Sequence, residues 1–278
     1  MRGYRPESMA ELRQVMAEAG PGAALVAGGT DWVIAERRSG REPASLVYLG
    51  GIPELKKVEL RENGMFVGAC CTMHQLEQEP LLQGPWAVLA EAAAGVGSTQ
   101  IRSRGTIGGN IAHASPAADS APALMCLDAV ALVLRQGETV EIPVERLIQG
   151  TEKTLLKETD VILGFLMPNQ PEDTVSHYYK LGFRRQVSIS RFGVAMALGL
   201  KEGRVTRAQI ALGAIGPKAI RMPAMEQALL GCAPDEAAAE RLGDILADYI
   251  RNTSGRRYKA WASRGVMSDA LVLFQKGE

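Results

Sequence analysis

Two pairs of adjacent glycines constrain this chain more than any other feature. Gly28 and Gly29 follow the apolar run "ALVA" and precede Thr30 and Asp31; Gly108 and Gly109 sit inside "IRSRGTIGGNIAHASPAAD", just before Asn110. A backbone kept clear of side chains at two successive residues can present consecutive N–H groups to an anion without any basic side chain, and phosphate is the obvious guest. Paired glycines also make ordinary turns. Two such pairs, each followed by a side chain that hydrogen-bonds, move the reading toward a ligand carrying a diphosphate. Neither loop fits G-x-G-x-x-G or G-x-x-x-x-G-K-[ST], so the dinucleotide fingerprint and the Walker loop are both excluded.

The 278 residues suggest two domains with ample material for a buried core. With 31 basic and 31 acidic residues the formal charge is zero, so the footprint of a general nucleic-acid binder is absent, although Arg184, Arg185 and Arg191 could form a local basic patch. The start, "MRGYRPESMAELRQ", has no apolar core that could act as a secretory signal. The longest apolar run, Ala121 to Leu134, is interrupted by Asp128 and is too short for a membrane span, so a cytoplasmic location is expected. Cysteines 70, 71, 126 and 232 lack C-x-x-C spacing, which argues against a metal site or a cluster held by this chain and for buried reduced thiols.

Local patterns predict the elements. "SMAELRQVMAEAG" has helical spacing with Ser8 as N-cap and Gly20 as stop; "AALVAGG" and "SLVYLGGI" read as strands around it, a small mixed unit ending near Pro53. "KKVELRENGMFVGA" reads as a hairpin turning at Asn63-Gly64, and Thr72 with Gln75 as a capping box. "PWAVLAEAAAGVG" is a helix ending at Gly95 or Gly97, and "SAPALMCLDAVALVLRQGETVEIPVERLI" runs from helix into a strand pair turning at Gly137. The strand "DVILGFLMP" is followed by "PNQPEDTVSH", whose prolines and polar residues mark a boundary near 169–174. Beyond it come strands with a turn at Glu202-Gly203, then helices over about 222–230 and 234–250. The expected class is α+β, with domains at 1–170 (subdomains about 1–55 and 56–170) and 171–278.

The motifs "LVAGGTDWV" and "IRSRGTIGGNIAHASPAAD", at this spacing, resemble the FAD-binding subunit of the molybdenum hydroxylases, the family of xanthine dehydrogenase and aerobic carbon monoxide dehydrogenase. "YRPESMAEL", "VGACCTMHQLE" and "YYKLGFRR" extend the resemblance over the whole chain. It implies a two-subdomain FAD-binding domain of vanillyl-alcohol oxidase type, closed by a C-terminal α+β domain like that of the carbon monoxide dehydrogenase flavoprotein. Carried over by motif, the first FAD segment is Leu25, Val26, Ala27, Gly28, Gly29, Thr30, Asp31 and Trp32, and the second is Thr106, Ile107, Gly108, Gly109 and Asn110, with the glycines admitting the pyrophosphate. Asp119 matches the flavin-contacting aspartate of S-P-x-x-D, Lys180 the lysine of the Y-K pattern, and Ile162 an aliphatic contact. Arg102 and Arg104 read as screens for the diphosphate or as salt-bridge partners pinning the loop, and His113 as a packing residue.

The resemblance further implies noncovalent FAD, with molybdopterin and [2Fe-2S] clusters on a large and a small partner subunit, and NAD or another acceptor receiving the electrons. It implies no catalytic residue on this chain. A self-sufficient flavin oxidase would need a substrate domain larger than the roughly 100 residues after the boundary, a single-domain length. A cofactor-free assembly subunit would not need intact glycine pairs and Asp119.

Overall fold

The computed structural model describes residues 2–40, 42–184 and 187–275. Its first unit is built from β1 (Arg2–Tyr4), α1 (Met9–Ala19), β2 (Ala23–Val26), α2 (Trp32–Ser39) and β3 (Ser45–Tyr48), a parallel sheet in the order β1-β3-β2. α1 starts where expected: the Ser8 hydroxyl accepts from the Glu11 amide at 3.2 Å, and Gly20 ends the helix with φ 66°. Leu12 and Met16, one turn apart, point into a core with Val47, Ile52 and Leu55 that also takes in Val161 and Leu163 of the next sheet.

The second unit comprises β4 (Val58–Arg61), β5 (Gly64–Gly68), helices α3 (Met73–Glu77), α4 (Ala87–Ala94), α5 (Thr99–Arg102), α6 (Ile107–His113) and α7 (Ser120–Cys126), β6 (Val130–Arg135), β7 (Glu138–Pro143), α8 (Val144–Leu147), β8 (Ile148–Gly150), β9 (Lys153–Thr154) and β10 (Val161–Pro168). Its antiparallel sheet runs β4-β5-β10-β6-β7. The first hairpin differs from the sequence reading by one position: Arg61 pairs with Gly64, so the turn is Glu62-Asn63 and Gly64 opens the strand. Gly64 has φ 143°, and any Cβ there would collide with the Met167 carbonyl of the adjacent β10, so the glycine serves strand contact and not the turn. Only half of the capping box forms, since the Thr72 hydroxyl accepts from the Gln75 amide at 3.1 Å while the Gln75 side chain donates to the Lys56 carbonyl at 2.9 Å.

The third unit is an antiparallel sheet of β11 (Thr174–Gly182), β12 (Ser190–Lys201), β13 (Arg204–Gly213) and β14 (Ile220–Arg221), backed by α9 (Pro223–Leu229), α10 (Glu236–Thr253) and α11 (Arg257–Val272). Apolar residues of β12 and β13 face Leu242, Leu246, Ile250, Val266 and Met267 in a separate core. The predicted helices end at Ile250, and α11 lies beyond them. Its N-cap residue, Arg256, makes no side-chain cap bond, and Gly265 sits in its interior, so the start signal is missing and the helical pattern is weakened. What holds it is tertiary: Gly243 of α10 lets α11 approach so closely that a Cβ would lie 2.6 Å from the Arg264 Cα.

Candidate functional site

A cavity of about 740 Å³ runs between the first two units and under the start of the third. Its walls include Leu25, Val26, Ala27, Gly28, Gly29, Thr30, Asp31 and Trp32 from the first segment, Thr106, Gly109 and Asn110 from the second, and Asp119 and Lys180. An adjoining chamber of about 310 Å³ shares Leu25, Ala27 and Gly109 with it and adds Gly108 and Ile162. A break in the β10–β6 register between Ile162 and Gly164 lies beside this chamber, the kind of irregularity that re-aims a strand side chain. Ile107 lines neither chamber: it is fully buried in the core beneath.

The first glycine segment touches the residues just ahead of the second. A Cβ on Gly28 would collide with the Arg104 carbonyl oxygen, so the missing side chain lets the first loop close on the residues leading into the second. Gly29 follows with φ 74°, a left-handed turn that aims the chain into α2. Among the described residues, none of the amides of Gly28, Gly29, Thr30, Asp31 and Trp32 donates a hydrogen bond. α2 therefore begins without a side-chain cap, and its N–H groups and positive dipole end lie at the cavity wall.

The second segment is different, and here the expectation of a free amide row is corrected. The Thr106 hydroxyl caps α6 by accepting from the Gly109 amide at 3.2 Å. The Ile107 amide donates to the Cys71 carbonyl at 3.0 Å, Gly108 to Ala69 at 2.8 Å, and Asn110 to Thr106 at 2.9 Å. Gly108 is a glycine for packing: a Cβ there would lie 2.6 Å from the Ala69 Cβ and 2.7 Å from its carbonyl oxygen. What this segment presents to the cavity is Gly109 and the Asn110 side chain, whose Oδ1 accepts from Ser120 Oγ at 2.6 Å.

At the far end Asp119 is 5 % exposed and accepts three hydrogen bonds: from Tyr178 Oη at 2.8 Å, from Lys180 Nζ at 2.7 Å, and from Ser190 Oγ. Lys180 also donates to the Gly95 carbonyl at 2.8 Å. Gly193, opposite Lys180 in the sheet, leaves the space that the Tyr178 hydroxyl occupies. Burial, then the charge of Asp119, pushes the Tyr178 phenol well above its ordinary range, so it stays a donor. The motifs point to Lys180 and Asp119 but not to Tyr178 and Ser190; only the sheet shows that the first tyrosine of "YYK" bonds residue 119.

Arg102 resolves as a structural residue, paired with Glu77 and donating to the Val96 carbonyl at 3.4 Å. The Arg104 side chain is exposed, and its carbonyl is what faces Gly28. His113 is half-buried and lines the cavity. Of the basic patch, Arg184 donates to the Val187 carbonyl at 2.8 Å, Arg191 stacks on Phe183, and Arg185 lies outside the described residues. Among the described residues no group of His, Cys, Asp and Glu could hold a metal ion, and no helix is long and apolar enough to cross a membrane.

Residues 1–170 match the family described as FAD binding domain in molybdopterin dehydrogenase, and residues 177–261 match the CO dehydrogenase flavoprotein C-terminal domain. The chain is 30% identical over 257 residues to the nicotinate dehydrogenase FAD-subunit of Eubacterium barkeri, covering 90% of this chain and 87% of that one. It is 28% identical over 277 residues to the carbon monoxide dehydrogenase medium chain of Hydrogenophaga pseudoflava, covering 93% and 96%. A solved structure of carbon monoxide dehydrogenase from that organism, which lacks the Mo-pyranopterin moiety of the molybdenum cofactor, superposes with a TM-score of 0.86 at 28% identity, covering 98% of this chain and 96% of that one.

Proposed function

The chain belongs to the family of FAD-binding domains of molybdopterin dehydrogenases, and from that premise we propose that it is the flavin subunit of a molybdenum hydroxylase, passing electrons from [2Fe-2S] clusters on a small partner subunit to NAD or another acceptor. Substrate oxidation belongs to a molybdenum-binding large subunit. The division at 170/171, with the C-terminal domain closing over the flavin, is part of this proposal.

The observation that carries the reading is the open amide row from Gly28 to Trp32 at the head of α2, facing a cavity of about 740 Å³. This donor set suits a diphosphate: the N–H groups lack partners among the described residues and the helix end favours negative charge. Leu25 to Trp32 would hold the diphosphate, with Gly109 and Asn110 opposite, while Asp119 and Lys180 would meet the flavin ring at one end and Ile162 the other part of the molecule. Bound there, FAD supplies reversible two-electron chemistry that can also run in single-electron steps. The chain's contribution is placement: the Asp119 carboxylate is locked by three donors, and Lys180 sets a cation, already paired, at the ring's end of the cavity.

The test is to purify the full chain and release its cofactor with heat or acid. A yellow, fluorescent species that runs as FAD is expected, freed without proteolysis because the binding is noncovalent. The chain alone should not oxidise purines, aldehydes or other heterocycles, whereas the chain with its large and small partners should. A colourless protein that cannot be reconstituted with FAD overturns the reading, as does robust substrate turnover by the chain alone.

A further inference from the structure

β11 is an edge strand: the third sheet runs β11-β12-β13-β14, so one side of β11 has no strand to pair with. That side is covered by the segment that leads into and through α4 of the second unit. Ser176 Oγ donates to the Gly84 carbonyl at 3.1 Å and accepts from the Val88 amide at 3.0 Å; the Tyr178 amide donates to Glu91 Oε2 at 2.6 Å; Lys180 Nζ donates to the Gly95 carbonyl at 2.8 Å. The ties fall on every second residue of the strand and on positions 84, 88, 91 and 95 of the other segment, so a strand period of two is matched to a helical period of three to four.

Of these ties, the one at Glu91 alone uses a side chain of the second unit; Gly84, Val88 and Gly95 contribute backbone groups. Both carboxylate oxygens of Glu91 are engaged: Oε2 takes the Tyr178 amide, and Oε1 lies 2.9 Å from His177 Nδ1, whose ring stands edge-on to Phe274 with centroids 5.0 Å apart. A half-buried carboxylate held at both oxygens keeps one orientation, and an amide bonded to a charged acceptor is held about twice as strongly as one bonded to a neutral group. The residue fixed in this way is the one whose hydroxyl bonds Asp119 Oδ1, and two positions along the strand Lys180 bonds Asp119 Oδ2. Glu91 itself lines neither chamber of the cavity, so its influence there passes through those three side chains.

We propose that Glu91 is a positioning residue for the flavin end of the cavity: it clamps the free edge of β11 to α4 and, through Tyr178 and Lys180, fixes both the Asp119 carboxylate and the Lys180 ammonium where they meet the ring. Its effect on the cofactor rests on the flavin reading above; the clamp itself stands on the hydrogen bonds alone. With the clamp closed, the Lys180 cation stays where it favours the negative charge that the ring gains on reduction. With Glu91 removed, the strand edge is released at Tyr178, the cation is held less firmly, and the flavin becomes harder to reduce.

The full chain, loaded with FAD, is titrated reductively against a reference dye to give the two-electron potential of the flavin. Glu91→Ala should lower the equilibrium constant for reduction about tenfold, a shift of about 30 mV to more negative potential. Glu91→Gln should lower it about threefold, because its amide oxygen still accepts from the Tyr178 N–H and only the charge is lost. Ser176→Ala cuts the same strand edge on the side of Tyr178 away from Lys180, and should lower the melting temperature while leaving the potential where it is. A potential unmoved by Glu91→Ala overturns the proposal, and so does an equal shift from Ser176→Ala, which would make the whole edge a matter of stability. If the alanine variant does not fold, Glu91→Gln decides by the same criterion. A chain that takes up no FAD overturns the flavin reading instead, and amide hydrogen exchange on that flavin-free chain still decides the clamp: Glu91→Ala should speed exchange along β11 and around Asp119, and unchanged exchange around Asp119 overturns it.

Discussion

The two glycine segments are spelled alike and do different work. In the first, Gly28 removes a clash with Arg104, Gly29 turns left-handed, and the amides that follow stay without partners at the cavity wall. In the second, the same dipeptide opens a capped helix whose first amides all find partners, two of them on the carbonyls of Ala69 and Cys71, and Gly108 is wedged against Ala69. A Gly-Gly pair therefore marks a place where the backbone needs room, and in both segments another part of the chain takes it; the segments differ in whether the amides that follow are left open. The lesson bears on any loop assigned to a phosphate by spelling alone: the amides must be counted first.

The largest expected effect separates the two roles. Gly108→Val places a branched side chain where Ala69 stands, and overpacking of this kind should cost about 3 kcal/mol of stability; a clear drop in the melting temperature of flavin-free protein is the measurement. An unchanged melting temperature with lost flavin would return Gly108 to the ligand's side. Gly29→Val is the counterpart: a Cβ there would meet only Val26 and Val33 at 3.7 Å, but φ 74° is strained for a branched residue. Its damage should fall on the amide row, raising the FAD dissociation constant about 100-fold, roughly 2.7 kcal/mol, with a smaller loss of stability than Gly108→Val. Flavin fluorescence titration reads this, and wild-type affinity would remove the first loop from the site.

A finer contrast lies in the helix caps. Thr106→Ala removes the bond to the Gly109 amide and should lower the stability of the flavin-free chain by about 1 kcal/mol. Asp31→Ala removes no cap bond, since Asp31 makes none, and should change the same quantity by less than about 0.5 kcal/mol. Equal losses in denaturant titrations would show the two helix starts to be alike after all. The smallest effect is chemical. Cys70 and Cys71 lie under the second segment, and burial raises their thiols to about 11 and about 12. At pH 8 both stay protonated and should react with a disulfide reagent far more slowly than half-buried Cys232. Gly108→Val should speed their labelling and Gly29→Val should not.

Much of the architecture was legible because it is decided among near neighbours. Ser8 and Gly20 bound α1, Gln136-Gly137 and Glu202-Gly203 turn their hairpins with positive φ, and alternation or apolar runs mark the strands. The motifs at Leu25–Trp32, Thr106–Asn110 and Asp119 likewise sufficed to indicate the family, since each is a contiguous run of sequence inside the residues that the family matches. Which amides remain open could not be read that way. Gly108 finds its acceptor on Ala69, 39 positions earlier in the chain, and Asp119 finds its donors on Tyr178 and Ser190, 59 and 71 positions later. α11 follows the same rule, because a helix without a cap leaves no local signature. Where the backbone turns and where it lacks a side chain is written in the order of residues; what fills the space is settled by the fold, because hydrogen-bond partners and packing neighbours depend on which distant segments meet.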